Sequence, residues 1–135
     1  MAEKSTVEAE VLNANAVLLR SIDLGDWQSY EELCDAAITC FEPEARGHLV
    51  QGLPFHKFYF DLVNAFGSSP APSVGRQSTM SSPNVRVVGD MAVLCYVRVV
   101  QKLDEAGSPV TAVSDETRIW RKVGDNWKHI HFHRS

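Results

Sequence analysis

The sequence has only three cysteines, Cys34, Cys40 and Cys95. Their number is odd and their spacings are unrelated, so a disulfide framework is not expected, and a reducing, cytoplasmic compartment is. Long apolar runs are absent too. The longest, Met91 to Val97, stops at Arg98, far short of the ~20 residues a membrane helix needs. The first residues, Met-Ala-Glu-Lys, contain no apolar stretch that could act as an export signal. There is no Asn-x-Ser/Thr acceptor, no phosphate-cradling glycine loop and no Gly-x-Ser-x-Gly elbow. Positive charge is not in excess. The net charge is −4 and the acids and bases are interspersed, which argues against a general nucleic-acid binder. A protein kinase catalytic domain would not fit in 135 residues, and none of its motifs is present.

What remains is an ordinary globular composition, 44% hydrophobic and 22% charged. Surface scaling allows a chain of this size to bury roughly 68% of its unfolded surface, so one domain over residues 1–135 is expected. Residues 6–24 carry Val7, Val11, Ala14, Leu18 and Ile22 at helical spacing, with Gly25 to end the helix. Asp26 suits the N-cap of a short helix from Trp27 to Cys34. Ile38 to Phe41 reads as a strand, and Glu42-Pro43-Glu44 as a solvated turn after it. His48 to Val50 is the candidate return strand. A third helix runs from Phe55 to Phe66, opened by Pro54. Residues 67–75, rich in Ser, Pro and Gly, read as a loop. Four long strands follow, Ser78–Val88, Met91–Leu103, Val110–Lys122 and Trp127–Arg134, joined by short turns. Helices first and hairpin-linked strands after predict an α+β fold, with about three N-terminal helices packed on one face of a curved antiparallel sheet.

Strand parity gathers the polar residues. Leu94, Tyr96, Arg98 and Val100 share one face of their strand, and Ser114, Glu116, Arg118 and Trp120 share one face of the next. A five-residue loop at 104–108 places Arg98 opposite Ser114, so Arg98, Arg118 and Glu116 stand together between Tyr96 and Trp120. The last hairpin has two possible registers. A two-residue turn pairs Val123 with Asn126 and brings His129, His131 and His133 to the arginine face. A three-residue loop brings Ile130, Phe132 and Arg134 there instead, with Arg134 opposite Glu116. In that register three arginines share one carboxylate, leaving excess positive charge. Spacing alone leaves two readings open. One is a structural ion-pair network; the other is an anion pocket whose guanidinium forks match a carboxylate or phosphate.

Three histidines on one face could hold zinc, but alternate strand residues are about 6.6–6.8 Å apart and no carboxylate supports them, so no metal is assigned. His56 by itself reads as a capping or packing histidine, and no cofactor is called for. The opposite sheet face, Val93, Cys95, Val97, Val99 and Ile119, is apolar with no helix left to cover it. A second copy of the chain is the simplest cover, and the 67–77 loop is the alternative.

Phe41-Glu-Pro-Glu-Ala-Arg-Gly-His-Leu-Val-Gln-Gly-Leu-Pro-Phe-His-Lys-Phe-Tyr-Phe60 resembles the signature stretch of the association, or hub, domain of calcium/calmodulin-dependent protein kinase II. Cys95 to Gln101 resembles its middle strand, and Asp115 to Ser135 its last hairpin. The likeness runs from about residue 8 to the end and is weak in the N-terminal helix and the 67–77 loop. The resemblance implies the cone-shaped half-barrel of the nuclear transport factor 2-like superfamily and self-assembly into two stacked rings. It implies the gathering of kinase domains where the hub is part of a longer chain. It also implies a cavity lined by Arg98, Arg118 and Arg134, with His56 at its rim and Tyr96 and Glu116 beside them, open to a small carboxylate or an acidic peptide. It selects the register with Arg134 opposite Glu116. The rival expectation is a small-molecule isomerase, dehydratase or hydrolase, since the same cone fold hosts such enzymes.

Overall fold

A computed structural model describes residues 6–66 and 76–135. Helix α1 spans Val7–Leu24. The Thr6 hydroxyl accepts from the Ala9 amide at 3.0 Å to start it, and Gly25, at φ 69°, ends it in the left-handed conformation that glycine adopts without strain. Helix α2, Trp27–Leu33, is capped by Asp26, which accepts from the Ser29 amide at 3.2 Å. Strand β1 is Cys34–Phe41, a turn of 3-10 helix covers Pro43–Ala45, β2 is Val50–Gln51 and α3 is Pro54–Phe66. The four long strands are β3 (Gln77–Val88), β4 (Met91–Leu103), β5 (Pro109–Val123) and β6 (Asn126–Arg134).

The strands form one sheet in the order β2-β1-β6-β5-β4-β3, curved and unclosed. All neighbouring pairs are antiparallel except β1 with β6, which run parallel. That parallel pair departs from an all-antiparallel sheet. It arises because the chain leaves the sheet after β2, passes through α3, and returns at the far edge. Helix α1 packs on β3 and β4, and α2 on β1 and β6. The core lies between helices and sheet, with Val11, Leu18, Ile38, Cys40, Ala92, Leu94 and Trp120 fully enclosed.

The β4–β5 hairpin has the expected register, with Leu103 paired to Pro109 and Arg98 to Ser114. The last hairpin combines both alternatives. Next to the turn Val123 pairs with Asn126 and Trp120 with His129, as a two-residue turn requires. Beyond a bulge, Ile119 pairs with His131 and Glu116 with Arg134, as the three-residue loop would have given. One extra residue in β6 shifts the ladder and exchanges the faces. His129, Phe132 and Arg134 therefore join the arginine face. The three histidines do not share a face, so the geometry for a three-imidazole zinc site is absent. His131 lies instead beside Phe41, and its Nδ1 is 2.7 Å from the Thr39 hydroxyl.

A second bulge interrupts β3 between Ser81 and Asn84, with Ser82 at φ 54° and Pro83, which has no N–H to donate, on this edge strand. Opposite the helices, Val93, Val97, Val99 and Ile119 are half-buried and Cys95 is exposed. Cys95, Val97, Thr117 and His133 line a hollow of about 400 Å³ on that face. The 67–77 loop, the alternative cover for this face, lies almost wholly outside the described residues.

Candidate functional site: an arginine cavity with matched acids

Parity on β4 and β5 turns Tyr96, Arg98, Glu116 and Arg118 inward, beneath α1 and α2. Glu116 is at the centre, its side chain wholly removed from solvent. Arg118 reaches it with Nη2 at 2.9 Å and Nε at 3.0 Å, Arg98 with Nη1 at 3.5 Å, and the Tyr96 hydroxyl donates to it at 2.5 Å. Burial alone would raise the Glu116 pKa, but Arg118, Arg98 and the Tyr96 hydroxyl outweigh it and hold the carboxyl below its usual range. Burial opposes the charge on Arg118 as well, yet Tyr96 and Glu116 raise its pKa above the ordinary arginine value. The Arg118 guanidinium also lies 4.4 Å from the centre of the Phe132 ring.

Sequence reasoning missed five participants: Asn15, Asp23, Glu42, Glu44 and Arg76. Asn15, fully buried on α1, donates to the Tyr96 hydroxyl at 3.0 Å and accepts from the Trp120 indole at 3.1 Å. Asp23, near the end of α1, accepts from Arg98 at 3.4 Å and from Arg76 at 3.1 Å. Glu42 and Glu44, expected in a solvated turn, both bind Arg134: Glu42 at 3.2 Å, and Glu44 in a closer contact. Asn15 and Asp23 sit at polar positions beside the apolar stripe of α1, and the stripe carries no mark of them. Glu42 and Glu44 are adjacent to Arg134 only because β1 pairs with β6.

These contacts correct the expected surplus of positive charge. Arg134 stands opposite Glu116 in the ladder but turns to Glu42 and Glu44, and Arg98 is shared between Glu116 and Asp23. The cavity itself measures about 270 Å³ and is lined by Arg76, Arg98, Arg118, Arg134, Glu42, Glu44, His56, Tyr30 and Phe132 among others. Four guanidinium groups thus face four carboxylates.

His56 lies in the wall rather than at the rim. It is buried, with Nδ1 2.7 Å from the Tyr30 hydroxyl and Nε2 3.8 Å from Cys40 Sγ. Burial, then the nearby Arg118 charge, push its pKa down to about 4, so it stands neutral at pH 7. His129 is enclosed completely and is lowered further by the same two causes, burial first. Burial pushes Cys34 and Cys40 up to about 12, so both are inert thiols rather than nucleophiles.

The comparisons with known proteins agree with this architecture. The family model described as the calcium/calmodulin dependent protein kinase II association domain matches residues 7–135. Over 127 residues the chain is 40% identical to the calcium/calmodulin-dependent protein kinase type II subunit delta of Oryctolagus cuniculus. That match takes in 93% of this chain but only 23% of the rabbit protein. The solved CaMKII hub homology domain of C. reinhardtii is 47% identical, with a TM-score of 0.84 over 96% of this chain and 98% of that one. A putative dehydratase of the NTF2-like family from Streptomyces avermitilis, 20% identical, shares the fold with a TM-score of 0.73 over 93% of each chain. With a family model spanning nearly the whole chain and a relative 40% identical over 93% of it, the chain belongs to the calcium/calmodulin-dependent protein kinase II association domain family.

Proposed function

We propose that the chain is a self-assembly hub whose outer sheet face joins copies into a closed ring, and whose arginine cavity receives a carboxylate. The observation that carries the first part is the β4–β5 face. Val93, Val97, Val99 and Ile119 are only half-buried, and among the described residues no helix lies over them. A sheet face with this composition is ordinarily covered. The hub domains it resembles favour a second copy as the cover, and stacking of two rings follows from the same resemblance. Kinase domains are the partners when the hub stands at the end of a longer chain, which the rabbit relative's greater length supports. Its three free thiols, one of them exposed, suit a reducing, cytoplasmic setting.

The cavity ligand is a small carboxylate or an acidic side chain of a peptide. Arg134 retains 23% of its side-chain exposure and Arg76 34%, so both can be reached from the mouth, whereas Arg118 is enclosed. Catalysis by the rival enzyme reading needs a base. Glu116, kept ionised between two arginines, is a poor one.

Native mass spectrometry tests the hub. A particle of about ten or more subunits is expected, as closed symmetric assembly and the resemblance imply. A monomer at micromolar concentration would remove the hub reading. Val97→Glu should reduce the particle mass, because it would bury an unpaired charge at the interface. An unchanged mass would show that the face carrying Val97 is not the interface.

A further inference from the structure

The carboxylates in the cavity are as informative as its arginines. Arg134 lines the cavity together with Arg118 and Phe132, and 23% of its side chain is exposed. It is already gripped by two side chains from one turn, Glu42 and Glu44, which flank Pro43. Pro43 starts the short 3-10 segment and fixes its own φ, so the two carboxylates are presented from a stiff support. Both hold the same nitrogen, Nη2, which a carboxylate needs if it is to bind the guanidinium fork with both oxygens. We infer that the Glu42-Pro43-Glu44 turn is an internal competitor for the anion site, so that a carboxylate ligand engages Arg134 through both of its oxygens only by displacing these acids from Nη2. This rests on the carboxylate-binding reading and adds the element that sets its affinity.

Charge and burial support the displacement. Glu42 is largely buried, with 10% of its side chain exposed, while Glu44 keeps 39%. Burial raises the Glu42 carboxyl above its usual range despite Arg134 beside it. Glu44 is the reverse: burial raises it less, and Arg134 brings it below the usual range. The difference follows from exposure and from Glu44's closer contact. The groups facing Glu42 are Arg134 from β6, Glu44 on its own turn, Arg118 from β5, Cys40 from β1, Tyr30 from α2 and His56 from α3. Between pH 6 and 8 the arginines stay charged, Tyr30 and Cys40 stay neutral, and His56, held at about 4, stays neutral. A ligand carboxylate that takes Arg134 from Glu42 leaves that buried acid with less positive charge and a new negative neighbour. Both changes favour its protonation. Binding is then coupled to proton uptake, and affinity rises as pH falls.

Fumarate is a suitable probe, because it remains a dianion from pH 8 to pH 6. Calorimetric titration of the whole chain with fumarate should give binding that tightens across that range. The double variant Glu42→Gln/Glu44→Gln should bind about tenfold tighter at pH 7.5, or about 1.4 kcal/mol, and lose the pH dependence. Glu44→Gln alone, at a more exposed position, should show a smaller gain in the same direction. Circular dichroism and native mass identify any variant that fails to fold, in which case the single variant decides. Binding of equal or weaker affinity in the variants would overturn the competitor while leaving the anion cavity standing. No binding by wild type or any folded variant would overturn both.

Discussion

Replacing Arg118 with methionine should cost about 3–5 kcal/mol of folding stability, the range expected when one partner of a buried ion pair is removed. The structure shows why the upper part of that range applies. Arg118 supplies two of the contacts to Glu116, at 2.9 and 3.0 Å, and donates to the Tyr96 hydroxyl at 2.9 Å. Without it the wholly buried Glu116 keeps Arg98 at 3.5 Å, the Ser114 hydroxyl at 3.4 Å and Tyr96. Those contacts do not balance the desolvation that already works to raise its pKa. The carboxyl that wild type holds below its usual range then rises above it in the variant. The sign of the pH effect follows. A carboxyl with a raised folded pKa binds more protons folded than unfolded, so acidification through that pKa restores stability. The difference between wild type and Arg118→Met should therefore shrink from pH 7.5 to pH 5, and the buried histidines act in the same direction, since the variant lacks the Arg118 charge that helps to lower His56 and His129. Urea unfolding at one fixed protein concentration measures it, because assembly makes stability depend on concentration. The double variant Arg118→Met/Glu116→Gln should lose less than the two single losses together, since it leaves no unpaired buried carboxylate at position 116 and Arg98 keeps Asp23 at 3.4 Å. A loss below about 1 kcal/mol for Arg118→Met, or a difference that grows in acid, would show that the network is solvated and the reasoning wrong.

Two further outcomes follow from the same interior. His56 has a folded pKa of about 4 against an ordinary 6.5, so the unfolded chain binds more protons between those values. Its contribution is intact above pH 6.5 and is lost as pH falls toward 4, by about 3 kcal/mol in all, and buried His129 acts in the same direction. Acid unfolding curves of His56→Gln should be shallower than wild type over that window, and equal slopes would refute the assignment. Asn15→Leu should cost about 1–3 kcal/mol in urea titrations, because the Trp120 indole N–H is left buried without its acceptor. A neutral result would mean that the indole finds another partner.

Local chemistry made most of the elements legible. Capping by Asp26, the left-handed Gly25 and the proline that opens α3 act within a few residues, so their effect can be read directly from the sequence. Alternation on β4 and β5 placed Tyr96, Arg98, Glu116 and Arg118 on one face because side-chain direction along a strand is a local property. The same argument stopped at β6. It requires a constant count, and the bulge between the Ile119 and Trp120 pairs changes the count where no turn residue marks it. Both candidate registers were therefore correct, each for one end of the hairpin.

Sequence by itself determined that this is an α+β chain with an inward arginine–carboxylate face and an apolar outer one, because both follow from period-two alternation. The family resemblance followed from three matched stretches of residues in their order. Only the tertiary structure decided the charge of the cavity. Asp23 comes from the end of α1, Glu42 and Glu44 from the turn after β1, and each meets its arginine across 53 to 92 positions of chain. Contacts at that separation depend on the parallel pairing of β1 with β6 and on the seating of α1 over β3 and β4. No local pattern encodes those, since an acid in a turn and an acid on a helix look the same whether water or a buried guanidinium is their partner.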